Sequence, residues 1–434
     1  MRRVRVRPAP GPLAGALGLP GDKSIAHRAV LLGALATGTQ RIRGLPQGAD
    51  VRASLAAVAA LGARVEPDAD WTLVHGAGRR FGAVGPEVID CANSGTTMRL
   101  LAGMLAGGSR TVVLDGDASL RRRPMERVAA PLRALGARVE TTAGRPPIRI
   151  HPGTLRGIDW TLPVASAQVK SAILLAGLGA AGETVVREPH PTRDHTERML
   201  VAMGVPVERR DGAVAVRGGT ELHAIDLTLP GDPSSAAFFA VAAAIVPGSR
   251  VVLRDVCVNP TRDGFVRILR RMGAAIEYRN ARDVGGEPCA DVCAAAGVLV
   301  GTSIDAAEVP AAVDELPVLA IAAACAAGET QVRGASELRV KESDRLEALA
   351  QLRVLGVDVT VVPDGLVVRG TGGGPLGSGA VSARGDHRIA MAFAVAALRA
   401  PDGIEIDDAG AVDVSFPGFF DRLSVLGAQV EVLA

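Results

Sequence analysis

The most regular feature of the chain is an apolar helical segment that recurs six times, each time with a polar start. These segments are apolar over most of their surface, which indicates helices that are buried on all sides. A glycine and a short β-branched stretch follow most of them, which predicts a turn into a strand. The six segments are Ser24–Thr37, Thr96–Ala106, Ser166–Leu178, Pro233–Val246, Leu316–Ala327 and His387–Leu398.

A second pattern marks the end of an amphipathic helix, and it also occurs six times. A Leu-Gly or Met-Gly pair is followed within three residues by a β-branched residue, and the pairs begin at positions 61, 135, 203, 272, 355 and 426. The spacings are 74, 68, 69, 83 and 71 residues. Glycine commonly ends helices, and β-branched residues favour strands. The repeating unit is therefore predicted to be a buried helix, a strand, an amphipathic helix, a glycine and a strand.

The six units group into two sets of three. The tetrapeptide Leu19–Asp22 recurs as Leu229–Asp232, 210 residues later. A chain of 434 residues is also too long for one core. We therefore predict one lobe from residues 20–230 and a second from residues 1–19 plus 231–434, with the alternating N-terminal segment as a strand of the second lobe and the active site in the cleft between them.

Composition narrows the class of protein. The net charge of +2, with only one Tyr and two Trp, argues against a nucleic-acid-binding or other non-catalytic polyanion-binding module. Five cysteines are an odd number without framework spacing, which predicts reduced thiols in a cytoplasmic protein. No phosphate-binding or dinucleotide-binding glycine motif and no paired histidine spacing is present, so neither a cofactor nor a metal is expected.

The polar starts of the six buried helices hold the candidate chemistry. A helix N-terminus attracts anions, whereas a Lys or Arg there opposes the helix dipole, so cations at four of the six starts suggest bound phosphate or carboxylate. The residues at the starts are Lys23, Ser24 and Arg28; Asn93, Gly95, Thr96 and Arg99; Ser166, Gln168 and Lys170; Asp232, Ser234 and Ser235; Asp314 and Glu315; and Asp386, His387 and Arg388.

Two further charged segments lie outside these starts. The arginines of segment 121–124 either form a solvated charge run or face a phosphate. Lys341 and Arg345 are predicted on one helix face with Glu342 between them, which is either an exposed helix surface or a lysine–carboxylate pair that transfers protons. The residues alone therefore indicate a cofactor-free enzyme that acts on small polyanionic substrates.

The motifs at these positions resemble those of the 5-enolpyruvylshikimate-3-phosphate synthase family over essentially the whole chain. The matching segments are Pro20–Ser24, Asn93–Arg99, Arg123–Pro124, Ser166–Gln168, Arg339–Arg345 and Asp386–Arg388. The resemblance implies an α/β fold of two pseudo-symmetric lobes, each with three βαβαββ-type units, buried helices and outer sheets. It also implies an enzyme without a cofactor that acts on small molecules, and we expect a monomer.

The family activity would be transfer of the enolpyruvyl group of phosphoenolpyruvate to the 5-hydroxyl of shikimate 3-phosphate, with release of phosphate through a tetrahedral intermediate. By resemblance, Asp314 would accept the hydroxyl proton, and Lys23 and Glu342 would handle the proton at the methylene carbon, with His387 nearby. Phosphoenolpyruvate would be held by Lys23, Gly95, Arg123, Gln168, Arg345 and Arg388. Shikimate 3-phosphate would be held by Lys23, Ser24, Arg28, Ser166, Ala167, Gln168, Arg193, Asp314 and Lys341.

The chain departs from the family pattern at two positions. Val414 stands where many members have a lysine, and Ala167 replaces a serine, so that only its backbone can bind substrate. Together with Arg193–Glu197 and Asn259–Arg262, these features resemble the class II branch, and we expect reduced inhibition by glyphosate.

The alternative enzyme is UDP-N-acetylglucosamine enolpyruvyl transferase, which the resemblance gives the same architecture. That family usually has a reactive Cys or Asp on the loop that corresponds to Asp117–Arg123, where Asp117 is the only candidate. It also has Lys-Asn where this chain has Lys23-Ser24, which favours the shikimate enzyme.

Overall fold

The structure is a computed structural model that describes residues 2–433. The chain forms two compact units. Unit 1 comprises residues 2–20, 230–283 and 288–433, and unit 2 comprises Gly21–Leu229 with the short segment Val284–Glu287. The prediction that the active site lies in a cleft between two lobes stays a prediction.

Fourteen α-helices lie within residues 2–433, and the six apolar segments are confirmed as helices among them. They are α1 Lys23–Leu35, α2 Ala49–Ala60, α3 Gly95–Leu105, α4 Glu126–Ala134, α5 Ala167–Gly177, α6 His195–Ala202, α7 Pro233–Ile245, α8 Gly264–Arg271, α9 Val309–Ala312, α10 Leu316–Cys325, α11 Arg345–Leu349, α12 His387–Ala396, α13 Val412–Ser415 and α14 Phe419–Val425. Short 3-10 turns lie at Gly78–Arg80, Leu120–Arg122, Ser336–Val340, Ala350–Leu355, Ala397–Arg399 and Ala409–Ala411.

The strands pair into six four-stranded sheets, three in each unit. Unit 2 contains β3 Thr39–Arg43, β4 Arg64–Asp68, β5 Trp71–His75, β6 Val88–Asp90, β7 Val112–Asp115, β8 Arg138–Thr142, β9 Arg145–His151, β10 Asp159–Thr161, β11 Glu183–Arg187, β12 Val207–Arg210, β13 Ala213–Arg217 and β14 Asp226–Thr228. Unit 1 contains β1 Arg3–Arg7, β2 Ala14–Gly18, β15 Arg250–Cys257, β16 Ala275–Val284, β17 Glu287–Ala295, β18 Ser303–Ile304, β19 Glu329–Val332, β20 Asp358–Val362, β21 Gly365–Arg369, β22 Gly379–Ser382, β23 Ile404–Asp407 and β24 Gln429–Leu433, with the tip of the β16–β17 hairpin assigned to unit 2.

All six sheets have one topology, as the sequence repeat predicts. The strand orders in unit 2 are β14-β3-β5-β4, β6-β7-β9-β8 and β10-β11-β13-β12, and those in unit 1 are β22-β23-β1-β24, β16-β17-β15-β2 and β18-β19-β21-β20. Each sheet has one parallel pair at an edge. The N-terminal segment is confirmed as a strand, β1, which pairs with β23 and β24.

The buried helices form the interior of each unit because their apolar residues extend around the whole helix. In unit 2, α3 contacts α1 and α5, and in unit 1, α7, α10 and α12 contact one another. Almost every residue of α7, α10 and α12 is buried. None of the described helices has the length and apolar character needed to cross a membrane.

The predicted glycines after the amphipathic helices adopt the left-handed backbone that an L side chain disfavours. The six have φ between +74° at Gly356 and +111° at Gly427. The chain can therefore reverse from each helix into the next strand without strain from a Cβ atom. The α/β fold predicted from the repeat and the resemblance is confirmed.

Candidate active site

The start of α1 presents a lysine, a serine and an arginine from one helical turn and a half. Asp22 caps this helix, because its carboxylate accepts the Ile25 N–H at 2.8 Å. Lys23 Nζ lies 2.8 Å from Asp50 Oδ2 at the start of α2. Ser24 Oγ accepts a hydrogen bond from Arg193 at 3.2 Å. The fold therefore brings the predicted residues Lys23, Ser24 and Arg193 to one place in unit 2.

Arg28 lies one turn further along α1 and is almost completely buried, with 2% of its surface exposed. Its guanidinium donates to Thr196 Oγ1 at 2.7 Å, Ser171 Oγ at 2.8 Å and the Ser24 carbonyl at 2.9 Å. Among residues 2–433, no carboxylate lies within ion-pair distance of it. Burial lowers the pKa of Arg28 to about 10, opposed by Glu197 and assisted by Arg193.

A buried cation without a carboxylate partner is unfavourable in an empty protein, because charge is costly to remove from water. The two hydroxyls and the carbonyl satisfy three of the five guanidinium hydrogens but supply no negative charge. The local charge at Arg28 is therefore suited to an anionic ligand.

The starts of α3 and α5 meet at a second place in unit 2. Gln168 Nε2 donates to Thr96 Oγ1 at 2.8 Å, and its Oε1 accepts from Arg99. Arg123 donates to Asn93 Oδ1 at 2.9 Å. A Cβ atom on Gly95 would lie 2.8 Å from an Arg99 nitrogen and 3.3 Å from an Arg123 nitrogen, so glycine leaves room for these guanidinium groups.

Ser166 and Ala167 stand at the start of α5. Ser166 is the N-cap residue, and no helical N–H donates to its side chain. Its hydroxyl is therefore not used in capping. Ala167 is the first helical residue, and its methyl side chain carries no polar group.

Lys170 is different, and counting it among the anion-binding cations was wrong. It is 1% exposed, and its ammonium lies 2.8 Å from Glu188 and 2.7 Å from Glu197. These two carboxylates neutralise it inside unit 2. The cation at this helix start is therefore structural.

We predict that Lys170→Met lowers the free energy of unfolding by about 3–5 kcal/mol. The reason is that two buried carboxylates lose their cation. Chemical denaturation measures this loss. A change below about 1 kcal/mol, the usual value for an exposed ion pair, would contradict the structural role.

A cluster of Asp194, His195 and Glu287 is the only group of three potential metal ligands that the described residues bring together. His195 Nδ1 lies 2.7 Å from Glu287 Oε1. Asp194 pairs with Arg198 and Arg209, each at 2.9 Å. Because arginines already neutralise Asp194 and a histidine pairs with Glu287, the cluster has the character of an ion-pair network.

In unit 1, Asp314 is contacted from the starts of α11 and α12, and its side chain is 15% exposed. It lies between α9 and α10. Arg388 donates to its carbonyl at 3.0 Å and lies 3.8 Å from its Oδ2, and Arg345 lies 3.4 Å from its Oδ1. The predicted base and the two predicted carboxylate-binding arginines are therefore in direct contact.

Arg345 is the most heavily paired cation of this group. It is 1% exposed and donates to Asp386 at 2.8 Å and to Glu342 at 2.7 Å. Burial alone would lower its pKa, but the carboxylates of Asp386, Glu342 and Asp314 raise it. Conversely, burial would raise the pKa of Asp386, whereas Arg345 holds it below the ordinary value.

The prediction that Lys341 and Arg345 share one helix face is wrong. The 3-10 turn Ser336–Val340 ends before Lys341, and α11 begins only at Arg345. Asp344 caps α11 by accepting the Glu347 N–H at 3.2 Å, which places the break in the chain at this residue. Arg345 therefore points inward, whereas Lys341 remains a quarter exposed.

Lys341 and His387 complete the predicted residues of unit 1. Lys341 lies 3.6 Å from Glu337, and burial lowers the pKa of its ammonium, opposed by Asp314 and Glu337. His387 is 6% exposed and begins α12, whose N-cap is Asp386. Val414 lies in α13 and is 37% exposed.

Sequence reasoning did not assign roles to several residues that hold the site together. Asp50 pairs with Lys23, Ser171 and Thr196 hold Arg28, and Asp386 holds Arg345. Asp50 and Asp386 could be recognised as acidic residues at helix starts. Their long-range partners could not, because these contacts join segments 27 to 168 residues apart.

Comparisons with known proteins identify the family of the chain. The family model for EPSP synthase (3-phosphoshikimate 1-carboxyvinyltransferase) matches residues 8–423. A 3-phosphoshikimate 1-carboxyvinyltransferase of Halorhodospira halophila is 55% identical over 432 residues, which cover 99% of this chain and 97% of the relative. The enzyme of the same name from Methylococcus capsulatus is 53% identical over 426 residues, 97% of each chain.

A solved structure gives the same result for the fold. EPSP synthase from Acinetobacter baumannii superposes with a TM-score of 0.89 at 44% identity, and all of both chains is covered. The family-model match and the two relatives cover almost the full length. This chain therefore belongs to the EPSP synthase (3-phosphoshikimate 1-carboxyvinyltransferase) family.

Proposed function

We propose that Arg28 holds an anionic group of shikimate 3-phosphate, and that the other helix starts divide the remaining work of the family reaction. The chain transfers the enolpyruvyl group of phosphoenolpyruvate to the 5-hydroxyl of shikimate 3-phosphate and releases phosphate. The observation that carries the residue assignment is the buried guanidinium of Arg28, which lacks a carboxylate partner. A ligand anion would supply the missing negative charge.

We also assign other polar groups near Arg28 to the binding of shikimate 3-phosphate. Arg193 and the Ser24 hydroxyl are joined by a hydrogen bond, so both can turn toward one anionic group. Ser166, the Ala167 backbone and Gln168 lie at the start of α5, where backbone N–H groups lack helical partners. In unit 1, we assign Lys341 to the same substrate.

Phosphoenolpyruvate carries a phosphate and a carboxylate, and different groups suit each of them. We assign the phosphate to Lys23, Arg123, Gln168 and the space at Gly95. We assign the carboxylate to Arg388 and Arg345, because guanidinium groups bind carboxylates with two parallel hydrogen bonds. Arg345 has one Nη1 hydrogen beyond its contacts with Asp314, Asp386 and Glu342, so Arg388 contributes the larger share.

Proton transfer is assigned to the carboxylates and amines of the site. Asp314 takes the proton of the 5-hydroxyl as its oxygen bonds to C2 of phosphoenolpyruvate. Lys23 and Glu342 deliver a proton to the methylene carbon and remove one again as the C2–O bond to phosphate breaks. Lys23 and Glu342 each lie beside a side chain of opposite charge, namely Asp50 for Lys23 and Arg345 for Glu342. His387 stands beside Arg388 and is assigned a supporting part.

We predict that Arg388→Lys raises the KM for phosphoenolpyruvate by about tenfold, while the KM for shikimate 3-phosphate changes by less than about threefold. An ammonium cannot reproduce the two-pronged contact of a guanidinium, and one lost charge-assisted hydrogen bond is worth about 1.5–3 kcal/mol. Steady-state kinetics with each substrate varied in turn measure both constants. Equal increases in the two constants would assign Arg388 elsewhere.

An acceptor comparison tests the function itself. Phosphate release from phosphoenolpyruvate is measured with shikimate 3-phosphate, with UDP-N-acetylglucosamine and without an acceptor. We expect release only with shikimate 3-phosphate, accompanied by one equivalent of the carboxyvinyl ether. Release with the UDP-sugar would instead favour the alternative transferase, which the comparisons do not support.

The cellular location, the oligomeric state and the sensitivity to glyphosate stay predictions. A cytoplasmic location is supported by the five cysteines, none of which is disulfide-bonded among residues 2–433. A monomeric state is supported by the prediction that the active site needs only the two lobes of one chain. Reduced inhibition by glyphosate is supported by Val414, which offers no cation from α13.

A further inference from the structure

A buried polar network reaches Glu315, the residue after Asp314, and includes the last residue of the motif Asn259–Arg262, to which the proposed function gives no part. Arg262 is 1% exposed, and Asn259 is fully buried. The loop is held by its own hydrogen bonds, because Asn259 accepts the Arg262 N–H at 2.7 Å through its carbonyl and the Thr261 N–H at 2.9 Å through its side chain. The motif therefore fixes a guanidinium inside unit 1.

The guanidinium of Arg262 reaches the start of α7. It donates to Ser234 Oγ at 3.0 Å and to Asp232 Oδ1 at 3.3 Å. Ser234 in turn donates from its hydroxyl to Glu315 Oε1. Ser234 and Glu315 are both buried, with 4% and 0% of their surfaces exposed. The network thus runs from the Asn259–Arg262 loop through Ser234 to Glu315.

Glu315 is the residue that follows Asp314 in the chain, and the two carboxylates lie in different surroundings. The Asp314 side chain is 15% exposed and contacts Arg345 and Arg388, whereas Glu315 is fully buried and contacts Ser234. Both residues lie in the three-residue connection between α9 and α10. Within this connection, the Glu315 N–H bonds to the Ala312 carbonyl at 2.9 Å.

The two arginines that contact Asp314 are also groups that a substrate would use. Arg345 and Arg388 touch Asp314, and the proposed function assigns both to the carboxylate of phosphoenolpyruvate. When they turn toward substrate, the position of Asp314 depends more on the hydrogen bond that holds the neighbouring Glu315. We propose that Arg262, Ser234 and Glu315 are positioning residues that hold the Asp314 carboxylate in place for proton abstraction. This inference rests on the proposed role of Asp314 as the base.

The variant that tests the network is Ser234→Ala, which removes the hydroxyl between Arg262 and Glu315. We expect kcat to fall by about 10-fold to 100-fold, because a displacement of about 1 Å at a reacting group has effects of that size. The KM values of both substrates should stay within about threefold, because no substrate-binding side chain is removed. Ser234→Thr restores a hydroxyl and should recover most of the turnover.

The matched control is Ser249→Ala in the same unit. Ser249 is 2% exposed and accepts the Leu13 N–H at 2.7 Å, so this variant loses one buried hydrogen bond, whereas Ser234→Ala loses two. Its melting temperature should also fall, though by less than that of Ser234→Ala, while kcat stays within twofold. A loss of kcat in both variants would show that any buried defect slows the enzyme, and this result would overturn the inference.

Two further variants separate the inference from the proposed function. Glu315→Gln conserves shape, and it replaces Ser234→Ala if the latter does not fold. It should lower kcat by at least about tenfold because Ser234 loses its anionic partner. Asp314→Asn tests the base itself. If Asp314→Asn is inactive but Ser234→Ala and Glu315→Gln keep kcat within twofold, the positioning network is refuted and Asp314 remains the base. If Asp314→Asn is active, the assignment of Asp314 as the base fails, and the inference fails with it.

Discussion

Asp314→Asn is expected to retain the fold and lose about two to four decades of kcat. The carboxylate is the group assigned to accept the proton of the attacking hydroxyl, and loss of a general base has an effect of that size. The amide keeps the shape of the side chain, so the contacts with Arg345 and Arg388 lose charge but not space. Turnover is measured by phosphate release at saturating concentrations of both substrates.

Circular dichroism and the melting temperature serve as controls for this variant. Because Asp314 is partly exposed, its replacement should cost little stability compared with a fully buried ion pair. An Asn variant that turns over within about tenfold of the parent protein would remove Asp314 from the proton transfer.

Arg345→Gln is expected to cost both stability and substrate affinity. Asp386 is fully buried and Glu342 is nearby, and both lose their guanidinium partner, so the free energy of unfolding at neutral pH should fall by about 3–5 kcal/mol. The KM for phosphoenolpyruvate should rise because one of its two carboxylate ligands is gone. Urea denaturation and steady-state kinetics measure the two effects.

The stability loss of Arg345→Gln should also depend on pH. In the parent protein, the pKa of Asp386 is below its ordinary value, so its stabilising contribution is present above about pH 4 and is lost as the pH falls through the folded-state pKa. In the variant, burial without a cation raises that pKa, and protonation relieves the unpaired charge. The stability difference between the two proteins should therefore shrink as the pH falls from 7 toward 4. A difference that grows over this range would contradict the ion-pair account.

The repeated architecture could be predicted because it is encoded locally. The six buried helices have no polar face, and the six glycines after the amphipathic helices have positive φ, so pattern and backbone conformation agree. The alternation of polar and apolar residues was enough to predict β1 as a strand. Its partners β23 and β24 could not be predicted, because this pairing joins residues about 400 positions apart and depends on the whole fold.

The sequence was enough to predict which types of residue lie at the candidate site, but not which of their charges are neutralised by neighbouring side chains. Lys170 and Arg28 both appear in the sequence as cations in buried helices. Only the structure shows that Glu188 and Glu197 neutralise Lys170, whereas hydroxyls and a carbonyl surround Arg28. The break before Arg345 was also missed, because Asp344 as an N-cap resembles an ordinary acidic residue within a helix.

The difference between Arg28 and Lys170 allows the most direct test of the claim that Arg28 binds an anionic group of the substrate. Shikimate 3-phosphate is titrated calorimetrically into the parent protein, Arg28→Met and Lys170→Met. Both variants remove a buried cation of unit 2, but only Arg28 lacks a carboxylate partner among residues 2–433. We predict that Arg28→Met weakens binding by about 10-fold to 100-fold, as expected for lost hydrogen bonds to a charged ligand group, while Lys170→Met stays within about threefold. Equal affinities of Arg28→Met and the parent protein would contradict the assignment of Arg28 to the substrate anion.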